Sequence, residues 1–189
     1  DLIFNAIFAN LNVSKIKEFT VEAGRPDTID KEKLRYFKIN GVTRISINPQ
    51  TMHDSTLKKI GRKHTTQELV EAFYLTKEIG LQDINMDIIV GLPGEDSNMV
   101  GKTIKELMLL APTSLTVHTL AIKTSSVLKR KNYALEKKNN DIKMILKMLE
   151  NYIRGMNYRP YYLYRQKNMV ANFENMGYAK PGYEGIYNM

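Results

Sequence analysis

Cysteine is absent from all 189 residues. No disulfide framework can therefore be argued, and with it goes the usual sequence case for a small secreted scaffold. Long apolar runs are also missing: none approaches the ~20 residues that a membrane-spanning helix needs, and no secretory pattern opens the chain. A cytoplasmic protein is the expectation. Phosphate-cradling glycine loops are missing too, since neither G-x-G-x-x-G nor a Walker loop follows any predicted strand. His53, His64 and His118 lack metal-ligand spacing, so no metal site is expected on them. The ten methionines are scattered as core filler.

What is present is a globular composition, 43% hydrophobic and 25% charged, in a length that suits one domain or slightly more. Basic residues outnumber acidic ones, 28 to 20, which invites a polyanion. They are dispersed, however, except for Lys129-Arg130-Lys131 and Lys137-Lys138 around one loop. Nucleic acid and membrane are not expected as partners; an anionic small molecule fits the charge equally well.

Apolar spacing predicts a helix over Asp1–Asn12, a strand over Glu18–Glu22, and a helix from the N-cap Asp30 to Ile39. A strand over Thr43–Ile47 breaks at Asn48-Pro49-Gln50. Asp54 caps a short helix, Thr65 or Thr66 a longer one closed by Gly80. Then come a strand ending in NMDIIVGLPGE, a helix over about Asp96–Leu110, a strand over Ser114–Ile122 and a polar loop, Lys123–Asn140. A helix over Asp141–Gly155, a strand over Tyr161–Tyr164 and a strand or irregular segment over Val170–Tyr178 complete the series. This βαβα order, without repeats or linkers, predicts one parallel α/β domain. With phosphate loops missing, a (β/α) barrel is favoured over a doubly wound sheet.

Asp87 looks misplaced among Ile84, Met86, Ile88, Ile89 and Val90, because a buried carboxylate needs partners or solvent. Glu22, Gln50 and Arg62 also fall at strand ends or just beyond, where barrels build their sites. Singly, each has a structural explanation as a cap, a turn residue or a solvated helix end. Jointly, two acids, an amide and a guanidinium suit an amino acid joined to a nucleoside.

The blocks EFTVEAGRPDTI, GVTRISINPQTM, LKKIGRKHT, INMDIIVGLPGE and SLTVHTLAIK, in this order, resemble the radical S-adenosylmethionine enzymes. More narrowly, the chain is similar to the oxygen-independent coproporphyrinogen III oxidases, including the later stretch YYLYRQKNMVANFENMGYAKPGYEGIYN. The resemblance implies a partial (β/α) barrel, truncated on its N-terminal side, over residues 1–158. Residues 159–189 would begin a family-specific C-terminal segment.

It also implies S-adenosylmethionine (SAM) bound against a [4Fe-4S] cluster. Glu22 would lie near the methionine moiety, Gln50 and Asp87 at the ribose hydroxyls, Arg62 at the methionine carboxylate and the Ala121 backbone at the adenine. Lys123 and Arg165 are candidates for the carboxylates of a tetrapyrrole substrate. The implied reaction is oxidative decarboxylation of coproporphyrinogen III propionates to vinyls through a 5′-deoxyadenosyl radical, with an external electron donor. The alternatives are another radical SAM enzyme, a heme-trafficking relative, or a non-catalytic anion- or tetrapyrrole-binding module.

One departure is decisive for the isolated chain. The family holds its cluster on a C-x3-C-x2-C loop, and no cysteine is present here. The chain reads as an internal piece of a longer enzyme, inactive alone, whose exposed first strand would self-associate.

Overall fold

A computed structural model describes residues 2–12, 15–121, 139–165 and 173–186. The elements run α1 (Leu2–Asn10), β1 (Thr20–Gly24), α2 (Lys31–Ile39), β2 (Arg44–Gln50), α3 (Asp54–Lys59), α4 (Thr66–Glu78) and β3 (Asp83–Val90). They continue with α5 (Ser97–Leu110), β4 (Ser114–Thr119), α6 (Asn139–Gly155), β5 (Arg159–Tyr164) and β6 (Asn175–Ala179). The six strands make one sheet in the order β1-β2-β3-β4-β6-β5. Strands β1 to β4 are parallel, whereas β6 pairs antiparallel with both β4 and β5. The parallel α/β expectation thus holds for four strands, and the last two form an antiparallel addition at one edge. β1 is the other edge strand.

Helix boundaries follow local chemistry. Asp30 accepts from the Lys33 amide and Asp96 from the Met99 amide, each as an N-cap. Thr65 and Glu68 close a reciprocal capping box at the start of α4. Asp54 plays a different part from the one expected: His53 is the cap of α3, and the Asp54 carboxylate accepts from the Thr66 amide at 2.8 Å, tying α3 to α4. Replacing Thr65 with alanine breaks the capping box, and a urea midpoint should report a loss of about 1 kcal/mol with no change of fold.

β2 runs further than its Pro49 suggests. The pairing with β3 shifts register between Ile47 and Gln50, and the proline sits in that irregularity, where no ladder donor is needed. Gln50 ends the strand at φ 67°, a left-handed backbone unusual for a side chain of its size.

The sheet has two unlike faces, and this positions the site. On one face, Ile45 and Ile47 of β2, Ile84, Met86, Ile88 and Val90 of β3, and Leu115 and Val117 of β4 are buried. They join one core with Leu69 and Phe73 of α4, Ile104 and Leu107 of α5, and Ile142, Ile145 and Leu149 of α6. Among the described residues, the helices therefore cover one face only. Because side chains alternate along a strand, the residues between these apolar ones must point the other way.

Candidate functional site

The uncovered face lines a cavity of about 710 Å³, within the range of small-molecule sites. Strands β1 to β4 contribute at period two, with Thr20 and Glu22 from β1, Arg44 and Ser46 from β2, Asn85 and Asp87 from β3, and Thr116 and His118 from β4, while β5 adds Tyr162 and Tyr164. Asp87 is therefore one member of a polar series, with buried Met86 and Ile88 on either side facing the helices. Glu18, Tyr161 and Leu163 complete the lining.

A continuous hydrogen-bond chain crosses three strands on this face. Arg44 Nη2 donates to Ser114 Oγ at 2.6 Å, and Ser114 Oγ donates to the Asn85 side-chain Oδ1 at 3.0 Å. Asn85 Nδ2 donates to Ser46 Oγ at 3.0 Å and to Asp87 Oδ1 at 2.8 Å. Ser46 in turn donates to Asn48 Oδ1 at 2.9 Å. Such a chain fixes the rotamers of the groups at its ends.

The strands' N-terminal end is closed by the chain's last described residues. Arg44, only 4% exposed, donates to the Tyr183 carbonyl at 3.0 Å and pairs with Asp83 at 3.4 Å. The Ile186 amide donates to Glu18 at 2.7 Å. The Gly182–Gly185 loop is therefore tied to two residues of the cavity lining, Arg44 and Glu18.

Toward the strands' C-terminal end the lining becomes titratable. Glu22 is shifted upward, first by burial of its carboxyl and next by the Asp87 charge, while Ser46, Asn48 and His118 pull it down. The side chain as a whole is exposed through the opening, so solvent screens much of this effect. His118 Nε2 lies 3.7 Å from Asp87 Oδ2, and its Nδ1 is 3.3 Å from the Tyr164 hydroxyl. Tyr162 bonds Thr116 at 3.1 Å, and burial pushes its phenol up to about 12. The Tyr162 and Tyr164 rings lie nearly parallel, 11° apart with centroids separated by 6.2 Å.

Of the residues expected from sequence, Glu22 and Asp87 share this cavity. Gln50 is buried at the end of β2 and Arg62 is half-buried after α3; neither lines the cavity. Arg62 sits near Arg25 and Asp27 beyond the end of β1, and burial lowers its pKa first, with Arg25 adding to the shift. Ala121, half-buried just past β4, also lies outside the lining. Arg165 is exposed and ion-paired with Glu174 across the β5–β6 end. Lys123 falls outside the described residues.

Two residues near the strand ends have structural explanations worth separating from the site. Glu95 of GLPGE is buried and accepts from Thr51 at 2.5 Å, while Thr103 Oγ accepts from the Met52 amide at 3.2 Å. Together they clamp the end of β2 to α5. His64 is 2% exposed, and neither ring nitrogen has a hydrogen-bond partner among the described residues. Burial lowers its pKa first and Arg62 adds to that; the Pro49 carbonyl opposes it without closing a bond.

The donor set suits part of the implied chemistry. Glu22 and Asp87, two of the three carboxyls lining the cavity, can take an ammonium, a sulfonium or ribose hydroxyls, as SAM presents. A [4Fe-4S] cluster does not fit these residues: the chain has no cysteine, and no group of three His, Asp or Glu among the described residues is arranged for a metal.

Residues 3–107 match the radical SAM superfamily. The oxygen-independent coproporphyrinogen-III oxidase-like protein HemZ of Bacillus subtilis is 43% identical over the whole chain, which spans 38% of that relative. The heme chaperone HemW of Escherichia coli is 26% identical over 99% of the chain and 46% of its own length. In fold, the chain matches coproporphyrinogen III oxidase (HemN) of Escherichia coli at a TM-score of 0.78 and 20% identity, covering 97% of this chain and 40% of that one. No described helix is long and apolar enough to cross a membrane. The chain belongs to the radical SAM superfamily, among the relatives of the oxygen-independent coproporphyrinogen-III oxidase-like proteins.

Proposed function

We propose that the protein containing this chain binds SAM at the C-terminal end of β1–β4 and carries out oxygen-independent oxidative decarboxylation of coproporphyrinogen III propionates. The observation that carries the cofactor part is the pairing of Glu22 with Asp87 across one cavity. In this reading Glu22 takes the ammonium, Asp87 a ribose hydroxyl, and Gln50 and Arg62 approach from the rim toward ribose and carboxylate. The Ala121 backbone borders the adenine, and Lys123 and Arg165 meet substrate carboxylates. SAM, once bound, supplies the hydrogen-abstracting chemistry. This chain's own residues orient it, and the aromatic wall of β5 excludes water from one side.

The identity to HemZ supports the decarboxylase reading. A second reading, heme handling without decarboxylation, is favoured by the relatives named heme chaperones, one of them 35% identical over 60% of the chain.

The test uses the full-length protein. Calorimetry with SAM should show affinity falling at least about tenfold in Asp87→Ala, the loss expected when a charged group's hydrogen bonds are removed. Because Glu22 is shifted upward, SAM affinity should decline as pH falls through that raised value and the carboxyl becomes neutral. Unchanged affinity in Asp87→Ala would remove the cavity from cofactor binding. After anaerobic cluster reconstitution, carbon dioxide release from coproporphyrinogen III supports the first reading; tight heme binding with none supports the second.

A further inference from the structure

Among the described residues, the cavity lining offers a ligand carboxylate little free positive charge. Glu18, Glu22 and Asp87 all face it, while Arg44 is already engaged by Asp83, Ser114 and the Tyr183 carbonyl. Like charges disfavour ionisation, so a carboxyl group placed here is held in its protonated form. Something must take that proton before the group can react as a carboxylate.

His118 is placed to do so. It stands between Asp87 on β3, 3.7 Å from Nε2, and Tyr164 on β5, 3.3 Å from Nδ1. The other titratable groups of the described lining are Glu18 and Glu22 on the β1 side, Arg44 from β2, and Tyr161 and Tyr162 from β5. With the Nε2 hydrogen directed at Asp87, Nδ1 is the acceptor and the Tyr164 hydroxyl donates to it. A carboxylate, an imidazole and a phenol in series have the logic of a base oriented and stabilised by a third group.

We propose that Tyr164, His118 and Asp87 form a proton relay that deprotonates a ligand carboxyl group in the cavity. The carboxyl O–H bond breaks as its proton moves to the Tyr164 oxygen. The Tyr164 hydroxyl proton passes to His118 Nδ1, and the imidazolium is held by Asp87. The ligand is left as a carboxylate, and no electrons are exchanged. The relay rests on the reading that the ligand carries propionic acid groups, and it assigns to His118 the acceptance of their proton.

The experiment is nitrogen NMR of the His118 ring in the full-length protein, with and without coproporphyrin III as the probe, at a pH where the unliganded ring is neutral. Porphyrin fluorescence reports binding independently. The expected result is conversion of His118 to the doubly protonated form on binding, and loss of that conversion in Asp87→Asn. In turnover, Tyr164→Phe and His118→Gln should each slow the reaction about 100-fold with porphyrin affinity retained, the size typical of general acid–base groups. The double variant should be no slower than either single one, as for groups acting as a unit. Binding with an unchanged His118 ring overturns the relay alone, as does an additive double variant. Failure of the porphyrin to bind overturns the relay and the tetrapyrrole reading together.

Discussion

Replacing Gly177 with alanine is expected to dislodge Tyr162 from the cavity wall and to destabilise the β5–β6 ladder by about 1–3 kcal/mol, the usual cost of overpacking. The two residues face each other in the antiparallel register. A Cβ at Gly177 would lie 1.9 Å from Tyr162 Cε1 and 2.4 Å from Cδ1, so the ring lies flat across the glycine. The missing side chain lets the phenol reach Thr116 and leaves Tyr164 stacked beside it. Gly101 in α5 is the control: a Cβ there meets only the Met148 methyl at 3.7 Å, so Gly101→Ala should be neutral or slightly stabilising. Thermal melts of the two variants, together with Tyr162→Leu and the Gly177→Ala/Tyr162→Leu pair, separate the clash from a general loss of strand propensity. A clash predicts that the double variant recovers part of the loss. Equal melts for the Gly177→Ala and Gly101→Ala proteins would remove the packing argument.

That contact also shows where sequence reading stops. The helices were legible because their signals are local: Thr65 and Glu68, or Asp96 before an apolar series, need no knowledge of the rest of the chain. β6 was only partly so: Val170–Tyr178 read as a strand or irregular segment, because NMGYA carries an interior glycine whose reason is a tyrosine 15 positions earlier. β2 was cut short for a related reason. Pro49 is a breaker by propensity, and only its place in the β2–β3 irregularity makes it tolerable.

The site was half legible. Asp87 stood out against apolar neighbours, and Glu22 shares its cavity. Yet the fuller signal was the alternation of Arg44 with Ser46, Asn85 with Asp87, and Thr116 with His118. In β3 the run Ile88-Ile89-Val90 hides that period, so Asp87 reads as an intruder and not as part of a polar face. Likewise His118, read only as lacking metal-ligand spacing, shows no partner until β5, over forty residues later, is seen to bring Tyr164 against it. Gln50 at the end of β2 and Arg62 after α3 lie outside the described lining, and their distance from Asp87 depends on loop paths that no period encodes.

Arg44→Met tests whether the polar face is a structural requirement as well as a ligand surface. The guanidinium is buried and holds three elements at once: Asp83 at the start of β3, Ser114 at the start of β4, and the Tyr183 carbonyl of the closing loop. Methionine fills similar volume but supplies no donor. It leaves a largely buried Asp83 carboxylate without its charge partner, a loss of about 3–5 kcal/mol by analogy with broken buried pairs. The pH dependence fixes the cause. Burial already raises the Asp83 pKa, against the opposing pull of Thr113 and Arg44. Removing Arg44 raises it further. A carboxyl whose folded pKa is raised destabilises the fold once pH climbs above its unfolded value, and that cost is absent where the group is neutral in both states. The Arg44→Met deficit, read from urea midpoints, should therefore shrink as pH drops toward about 4, near the ordinary aspartate value. Arg44→Met/Asp83→Asn should recover much of the deficit at neutral pH. A deficit independent of pH, and unrelieved by Asp83→Asn, would mean that Arg44 acts through packing and the Tyr183 carbonyl alone.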